Sequence, residues 1–376
     1  MKPLGLYIHI PFCRSKCLYC DFCSFPNRNG EVAERYVDAL CRDLEKWAEK
    51  SRLHEVETVY FGGGTPTLMH PKQLLRILDT VFRYYHMADG AEITAECNPA
   101  TGSKKAFAEL YRGGFDRLSI GLQSTHANEL RALGRIHTFA DFEKTFSEAR
   151  EAGFENISAD LMSGIPEQTV ESYLQSIDRL CSLHPEHISA YGLSVEEGTP
   201  FFKMQSRLKL PDEEAAREMY FEGIRLLEAK GYKQYEISNF ARHGYESRHN
   251  LKYWNCEEYL GFGPAAYSDF GGERFGNSRE LDAYIDGREI LAECETPSLT
   301  ARMNEYVMLR MRLTDGVSVS AFETRFGQSF EALFGERLAY YERGGFVSRT
   351  GDGWAFTTEG FYVSNTVLSE LLDFSD

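Results

Sequence analysis

The sequence predicts an α/β fold in which a partial (β/α)6 barrel is followed by a small C-terminal domain. Six short apolar runs alternate with helical stripes over roughly the first 200 residues, a pattern typical of right-handed βα units in a parallel sheet. Polar or glycine-rich residues follow the runs, at the strand ends where such folds carry their sites. Six units rather than eight indicate a barrel with an open side.

The individual elements follow from hydrophobic periodicity. The strands are predicted where short apolar runs occur, over residues 4–10, 56–61, 91–95, 117–120, 156–161 and 187–193. The helices are predicted where apolar residues recur at three- and four-residue steps, over 36–47, 74–82, 104–112, 139–152 and 167–183.

Beyond about residue 200 the alternation stops. A strong helix is predicted over 213–229, whereas residues 232–274 are rich in Tyr, Asn and Gly and show little periodicity. A pattern typical of a winged-helix-like α+β module then consists of helices at 302–312, 321–326 and 330–343 and a strand–turn–strand over 345–357.

We therefore expect three parts. Residues 1–235 would form the barrel with its site, 236–299 a connecting segment, and 300–376 the C-terminal domain. Winged helices can bind nucleic acid, but residues 300–376 contain seven Lys/Arg against eleven Asp/Glu. This balance favours a packing or lid role for the last part.

Composition excludes several classes of function. The 376 residues are 43% hydrophobic, enough for a sizeable core, and the net charge is −16. That charge disfavours a broad nucleic-acid surface and a polybasic membrane anchor. No apolar run reaches the roughly 18 residues of a spanning helix, and no signal peptide is visible. We expect a cytoplasmic protein without stable membrane insertion.

Three cysteines directly after the first strand are the most informative motif. Cys13, Cys17 and Cys20 have C-x3-C-x2-C spacing, and three thiolates on so short a loop can hold three irons of a [4Fe-4S] cluster. The fourth iron would stay open to an exogenous ligand. A zinc site and an incidental grouping are the alternatives; zinc usually needs a second Cys or His pair, and none follows at a suitable distance.

Further polar groups follow the other strands. Residues 62–65, Gly-Gly-Gly-Thr, permit close backbone approach to a ligand, although a plain flexible turn is the alternative. Glu96, Gln123 and Asp160 fall at strand ends, where they can accept from ribose hydroxyls or an ammonium group. Arg135 is placed to pair with a carboxylate. Each alone is more often a surface or capping group, and their repetition favours a binding site.

A second motif, His249-Asn250-x-x-Tyr253-Trp254, lies outside the barrel pattern. Histidine can ligate haem iron, and Tyr and Trp can stack on a porphyrin face. The alternative is a buried histidine in an aromatic cluster. Cys23, which follows Cys20 at C-x2-C spacing, is either part of the cysteine site or a loop thiol.

Together these motifs resemble the radical S-adenosylmethionine (SAM) superfamily, and within it the HemW-type haem chaperones. The likeness extends over nearly the whole chain. Its segments are residues 7–13, the cysteine triplet with Tyr19, 62–67, 96–99, 119–124, 133–135, 160–166, 235–239 and 249–254.

The resemblance implies a TIM-like radical SAM barrel in which Cys13, Cys17 and Cys20 ligate the cluster. It implies SAM contacts at Tyr7, Tyr19, Gly63, Gly64, Thr65, Glu96, Gln123, Arg135 and Asp160. It also associates His249, Asn250, Tyr253 and Trp254 with haem, carried as cargo. The partners implied are recipient haem proteins and a reductant such as flavodoxin or ferredoxin; a homodimer is possible.

Two related activities are the alternatives. Oxygen-independent coproporphyrinogen III oxidase extends its motif to C-x3-C-x2-C-x-C, but here that position is Phe22, with Cys23 one residue later. The oxidase also carries an extension ahead of its first strand, whereas this chain begins almost at that strand. A radical SAM methyltransferase is the third possibility. The complete His-Asn-x-x-Tyr-Trp motif favours the chaperone.

Overall fold

The computed structural model describes residues 1–26, 30–288 and 291–372, which form a mixed α/β domain and a small C-terminal domain. The strands are β1 (Lys2–Ile10), β2 (Phe12–Cys13), β3 (Phe25–Pro26), β4 (His54–Gly63), β5 (Met87–Cys97), β6 (Arg117–Gln123), β7 (Asn156–Ser163), β8 (His187–Gly192), β9 (Lys233–Gln234), β10 (Asn239–Ala241), β11 (Tyr259–Phe262), β12 (Tyr267–Phe270), β13 (Glu273–Asn277), β14 (Leu291–Glu295), β15 (Val317–Ser318), β16 (Val347–Thr350) and β17 (Gly353–Phe356).

The helices surround these strands. They are α1 (Gly30–Ala48), α2 (Pro71–Tyr84), α3 (Lys104–Arg112), α4 (Ala127–Ala132), α5 (Phe139–Ala152), α6 (Val170–Cys181), α7 (Pro200–Lys203), α8 (Glu213–Ala229), α9 (Arg248–Trp254), α10 (Leu281–Ile285), α11 (Leu299–Arg310), α12 (Val319–Phe326), α13 (Glu336–Arg343), α14 (Thr358–Tyr362) and α15 (Ser364–Leu371), with short 3₁₀ turns at Pro66–Leu68 and Gln205–Arg207 and a π-helical turn at Glu331–Gly335. In the described part of the chain, no helix is long and apolar enough to cross a bilayer.

The prediction of six βα units is confirmed. Strands β1, β4, β5, β6, β7 and β8 are parallel and adjacent in that order. The sheet is larger than expected, because β11 to β14 extend it beyond β1 and β10 and β9 extend it beyond β8. These added strands are only two to five residues long and show no clear periodicity in the sequence. The order of the sheet ends at β14 and β9, which leaves it open.

The two faces of the parallel strands differ sharply in chemistry. Because side chains alternate along a strand, one face of each strand carries the apolar residues that pack under the helices. On β6, Leu118 and Ile120 belong to that hydrophobic core. The other face is polar and encloses the barrel interior, where the buried side chains include Thr58, Thr94, Glu92, Arg117, Ser119, Ser158 and His187. Such an interior is costly unless its groups are paired or face a ligand.

Local capping explains why the outer helices begin where they do. In α5, the Thr138 hydroxyl accepts from the Asp141 backbone N–H, and the Asp141 carboxylate accepts from that of Thr138. This reciprocal capping box satisfies donors at the first turn. The helix ends at Gly153, whose φ of +113° suits a left-handed cap. These local signals explain why the predicted bounds of α5 agree with the structure.

The C-terminal domain has its own core. Helices α11 to α13 pack with the antiparallel sheet β15-β17-β16 around Trp354 and Phe322, both fully buried. The winged-helix-like arrangement expected from the sequence is confirmed. Half-buried ion pairs join this domain to the sheet, because Arg302 of α11 bonds Asp269 of β12, and Arg274 of β13 bonds Glu305 of α11.

Helix α9 packs against the inner face of the parallel strands, where its residues contact Thr58 and Tyr60 of β4 and Glu92 of β5, and we call this part the lower end of the barrel interior. The buried carboxylate of Glu92 accepts from the backbone N–H groups of Arg248 (3.3 Å) and His249 (3.1 Å) at the helix start. A carboxylate at this end also suits the helix dipole. On the far side, the buried ammonium of Lys252 pairs with Glu57 at 2.6 Å. A side chain of the sheet thus caps a helix that is distant in sequence.

We expect Glu92→Ala to loosen α9, because two backbone donors would lose a buried partner. The expected cost is about 1–3 kcal/mol of unfolding free energy, with faster amide exchange in residues 247–255. Denaturant unfolding and hydrogen exchange measure both quantities. The matched control is Glu45→Ala on the exposed face of α1, for which we expect a change within about 0.5 kcal/mol. Equal effects of the two variants would contradict this account of α9.

Candidate functional site

The cysteine loop is a closed excursion between β1 and α1. Strands β2 and β3 form a short parallel pair at its base, and the Phe25 N–H donates to the Pro11 carbonyl at 2.7 Å. The N–H groups of Gly64 and Thr65 donate to the carbonyls of Ile10 and Phe12, both at 2.8 Å. The loop is therefore held at its root by backbone groups of the β4 end.

Close packing at this root explains one glycine of the Gly-Gly-Gly-Thr segment. A Cβ at position 64 would lie 2.7 Å from the carbonyl oxygens of Ile10 and Phe12, closer than real Cβ contacts allow. Gly63 has a φ of +104° and would meet the His9 ring at 2.4 Å. The segment was expected to allow a ligand to approach; it also allows the cysteine loop to approach.

The three cysteines and most of the predicted SAM residues line one cavity. This cavity, called here the cluster cavity, has a volume of about 710 Å³ including its open part. The predicted residues that line it are Cys13, Cys17, Cys20, Tyr19, Gly63, Gly64, Glu96, Gln123, Arg135 and Asp160. Thr65 lies at its edge, with its hydroxyl 3.6 Å from the Cys13 sulfur. Residues separated by up to about 150 positions in sequence therefore meet at one site.

Tyr7 is the predicted SAM residue that does not line the cluster cavity. Its hydroxyl lies 3.0 Å from His9 Nδ1, and its ring stacks on Tyr60 with a centroid separation of 6.3 Å. Tyr60 in turn donates to Glu96 at 2.9 Å. The ring of Tyr7 therefore packs against Tyr60 and helps to hold it in place. A direct contact between Tyr7 and a ligand stays a prediction.

Arg135 links two sides of the cluster cavity. Its guanidinium lies 3.6 Å from the Cys17 sulfur and donates to Asn98 Oδ1 at 2.7 Å. Asn98 donates to the Thr65 hydroxyl at 2.7 Å, and Thr65 contacts Cys13. The Arg135 guanidinium therefore joins Cys17 on one side of the cavity to Asn98, Thr65 and Cys13 on the other.

Two buried carboxyls face the same cavity. Burial raises the pKa of Glu96 to about 7, partly offset by hydrogen bonds from Tyr60 and from the Gly63 N–H (3.0 Å). Burial also raises the pKa of Asp160 to about 6, and this carboxyl accepts from Ser119 at 3.4 Å. An ammonium group in the cavity would favour the ionised forms of both. The ionised forms of these two carboxyls would therefore be more stable with a cationic ligand in the cavity than without one.

The three cysteines of the motif are free thiols that line the cluster cavity. None of the nine cysteines is in a disulfide, and Cys13, Cys17 and Cys20 are half-buried. Among the residues described, no group of three or more His, Cys, Asp or Glu side chains is gathered closely enough to hold one metal ion. A cluster does not need such convergence, because each thiolate binds a different iron. Cys23 differs from these three: its sulfur lies 3.6 Å from the Arg279 carbonyl, and it does not line the cavity.

The four residues of the His-Asn-x-x-Tyr-Trp motif form most of α9. The buried His249 ring lies 2.7 Å from the Thr58 hydroxyl through Nδ1 and 2.8 Å from the Tyr253 hydroxyl through Nε2. It stacks on Tyr60 at 5.1 Å between centroids, and burial lowers its pKa to about 3.

The other residues of the motif lie in different places. Asn250 lines a second cavity in the barrel, whereas Trp254 is half-buried with an unpartnered indole N–H. The motif therefore surrounds the lower end of the barrel and does not line the cluster cavity.

Comparison with known proteins agrees with this geometry. Residues 7–180 match the Radical SAM superfamily, and residues 298–363 match the HemN C-terminal domain. The protein named Heme chaperone HemW in Bacillus subtilis is 37% identical over 376 residues, covering 97% of this chain and 98% of the relative. That of Escherichia coli is 33% identical and covers 99% of both chains.

The chain belongs to the HemW family.

The same fold occurs in a solved structure of different name. The structure described as coproporphyrinogen III oxidase (HemN) from Escherichia coli, a radical SAM enzyme, matches this HemW-family chain with a TM-score of 0.87. It covers 99% of this chain and 91% of that one at 24% identity. At that identity the likeness shows the fold, and the expected radical SAM barrel with its C-terminal domain is confirmed.

Several residues of the HemW-family site were not singled out from the sequence. Asn98, Ser119 and Tyr191 line the cluster cavity, and Arg117 and His187 line the second one. A signal was available: β6, β7 and β8 alternate polar with apolar residues, although parallel strands covered by helices usually read as continuous apolar runs. Alternation in such strands indicates a polar barrel interior.

We expect the stability of the cofactor-free protein to fall as pH rises, through Glu96. A carboxyl whose folded pKa (about 7) exceeds its usual value stabilises the fold while protonated. That contribution is complete below the unfolded pKa and is lost as pH rises through the folded one. The unfolding free energy of the wild type minus that of Glu96→Gln should therefore decrease by about 2 kcal/mol between pH 5 and pH 8.

Denaturant unfolding at several pH values measures this difference. Glu45→Gln, an exposed carboxyl on α1, is the control and should show no such trend. After the larger effect of burial, the charge of Asp160 also contributes to the raised pKa of Glu96. A difference that does not change with pH would contradict the assignment.

Proposed function

We propose that this protein is a haem chaperone that binds haem and delivers it to haem-requiring proteins, and that it carries one [4Fe-4S] cluster and SAM. The observation that carries the proposal is the full-length similarity to proteins named Heme chaperone HemW. The complete His-Asn-x-x-Tyr-Trp motif on α9 supports it. A cytoplasmic location fits nine cysteines free of disulfides, since such compartments keep thiols reduced.

Within this proposal, the residues of the cluster cavity divide the work of holding the cofactors. Cys13, Cys17 and Cys20 would bind three irons, and the Arg135 guanidinium would donate to the sulfur of Cys17. Glu96 and Asp160 are suited to the ammonium and ribose hydroxyl groups of SAM, which are the cationic and donor groups of that ligand. When bound, the cluster supplies one-electron reduction at the open iron, for which a donor such as flavodoxin or ferredoxin is the proposed partner.

The proposed iron ligand is His249. Its ring is neutral, and neutral imidazole is the form that binds metal. In the structure Nδ1 and Nε2 are both hydrogen-bonded, so ligation through Nε2 requires the Tyr253 hydroxyl to yield its place. Asn250, Tyr253 and Trp254 are the proposed neighbours of the haem. Recipient haem proteins would then take the cargo from this end of the molecule.

Coproporphyrinogen III oxidation is the second candidate, because the fold of HemN is shared along 99% of this chain. Against it, Phe22 stands where the oxidase motif has a cysteine, and its ring is 66% exposed. The nearby Cys23 faces away from the cluster cavity. These two residues support the chaperone over the oxidase.

One experiment tests the proposed function directly. Anaerobically reconstituted protein is offered haem with an apo-haem protein as acceptor, and in parallel coproporphyrinogen III with SAM and a reductant. We expect haem binding and transfer to the acceptor, followed by its Soret band, and no appreciable protoporphyrinogen. Efficient decarboxylation, or haem that never reaches the acceptor, would overturn the proposal.

A pair of variants tests the iron ligand. We expect His249→Ala to weaken haem binding by about tenfold or more and to change its absorption spectrum, because the ligand is lost. Tyr253→Phe should keep or strengthen binding, because it removes the group that competes for Nε2. Absorption titrations of the two variants measure this. If His249→Ala leaves affinity and spectrum unchanged, His249 is only a support for the barrel.

A further inference from the structure

A second cavity adjoins the cluster cavity and is called here the barrel cavity. Its volume is about 1320 Å³ including its open part. It also contains Arg117, His187 and Asn250, which do not line the cluster cavity. The residues that line both cavities are Tyr19, Cys20, Phe22, Glu96, Ser119, Asp160 and Tyr191. The size and position suit a ligand larger than the cofactor groups already placed.

Arg117 is the unusual residue of the barrel cavity. It begins β6, and only 2% of its surface is exposed. Its Nε has no hydrogen-bond partner, and in the described part of the chain its guanidinium takes part in no hydrogen bond or ion pair that would neutralise it. A buried arginine is normally paired, because an isolated buried charge is costly. Arg117 therefore has no carboxylate in direct contact among the described residues, although its charge acts on the nearby carboxyls of Glu96, Asp116 and Asp160.

The two inner carboxyls at this cavity already accept hydrogen bonds, whereas Asp21 and Glu196 line its exposed part. Glu96 accepts from Tyr60 and the Gly63 N–H, and Asp160 accepts from Ser119. Neither carboxylate lies in contact with Arg117, although each feels its charge. The unpaired group at this position is the cation.

We propose that Arg117 binds a carboxylate of a tetrapyrrole seated in the barrel cavity. The planar guanidinium fork matches a carboxylate in two hydrogen bonds, and a tetrapyrrole with propionate groups carries such carboxylates on an apolar plate. Met162, Tyr191 and Leu193 supply apolar and aromatic walls in the same cavity. Asn250 at its floor joins it to the α9 motif. This inference rests on the proposed function.

The experiment compares haem with haem dimethyl ester, in which both propionates are blocked. With the cluster-loaded wild type, we expect haem to bind about tenfold more tightly than the ester. Arg117→Gln should abolish that preference by weakening haem alone, and Arg117→Lys should keep part of it. Soret titrations under anaerobic conditions measure all affinities.

Arg312→Gln is the matched control. Its Nε is also buried without a partner, but Arg312 lies at the C-terminal domain, where it donates to Asn365 at 3.1 Å. This variant should keep the wild-type preference. If Arg117→Gln does not fold, the Lys variant decides the question, because an unchanged preference there would contradict bidentate binding.

The remaining outcomes each overturn a stated claim. Equal weakening of haem and ester by Arg117→Gln, or an unchanged preference, would make Arg117 a structural charge and would leave the chaperone proposal standing. If Arg117→Gln weakens SAM binding and leaves the preference for haem over the ester unchanged, the carboxylate that Arg117 binds belongs to SAM. That result would refute the tetrapyrrole proposal. Failure of the wild type to bind either haem or the ester would overturn both this inference and the proposed function.

Discussion

The backbone contact between the β4 end and the cysteine loop is the constraint on which the site depends. Two N–H groups, of Gly64 and Thr65, hold the carbonyls at the root of the loop, and a side chain at position 64 would displace them. Backbone groups can do this only where no Cβ intervenes. The edge of the sheet therefore fixes the root of the loop that carries the thiols.

A second consequence follows from the polar inner face of the parallel strands. Glu92, Glu96 and Asp160 are carboxyls inside one barrel, and the charge of Arg117 acts on Glu96 and Asp160. Helix α9 uses one of these carboxyls as its cap, whereas the other two face the cavities. The same face thus carries the cap of α9, part of the lining of the cluster cavity and part of the lining of the barrel cavity. These three places differ in which of their polar groups remain without a partner.

Local signals explain which parts of the fold could be predicted. The bounds of α3, α5 and α8 were predicted well because Ser103, Thr138 and Asp212 cap them within the same stretch of chain. Strands β9 to β14 were missed because they are short and gain their stability by joining an existing sheet. The cysteine loop and the residues at strand ends could be located because parallel strands bring their ends to one edge. Arg117 and Tyr60 could not be located in this way. Their role depends on whether residues across the barrel supply them with a hydrogen-bond partner, which the sequence does not show.

The ring of Tyr60 lies between the cluster cavity and helix α9. Tyr60 bonds Glu96 at the upper cavity, and its face rests on the α9 histidine at the lower end. A ligand that shifts this ring from either side acts on a neighbour of the other. By thermodynamic reciprocity, any change in affinity transmitted downward must equal the change transmitted upward. For a ligand at the cluster cavity and a second ligand at α9, one coupling free energy would describe the effect of each on the affinity of the other.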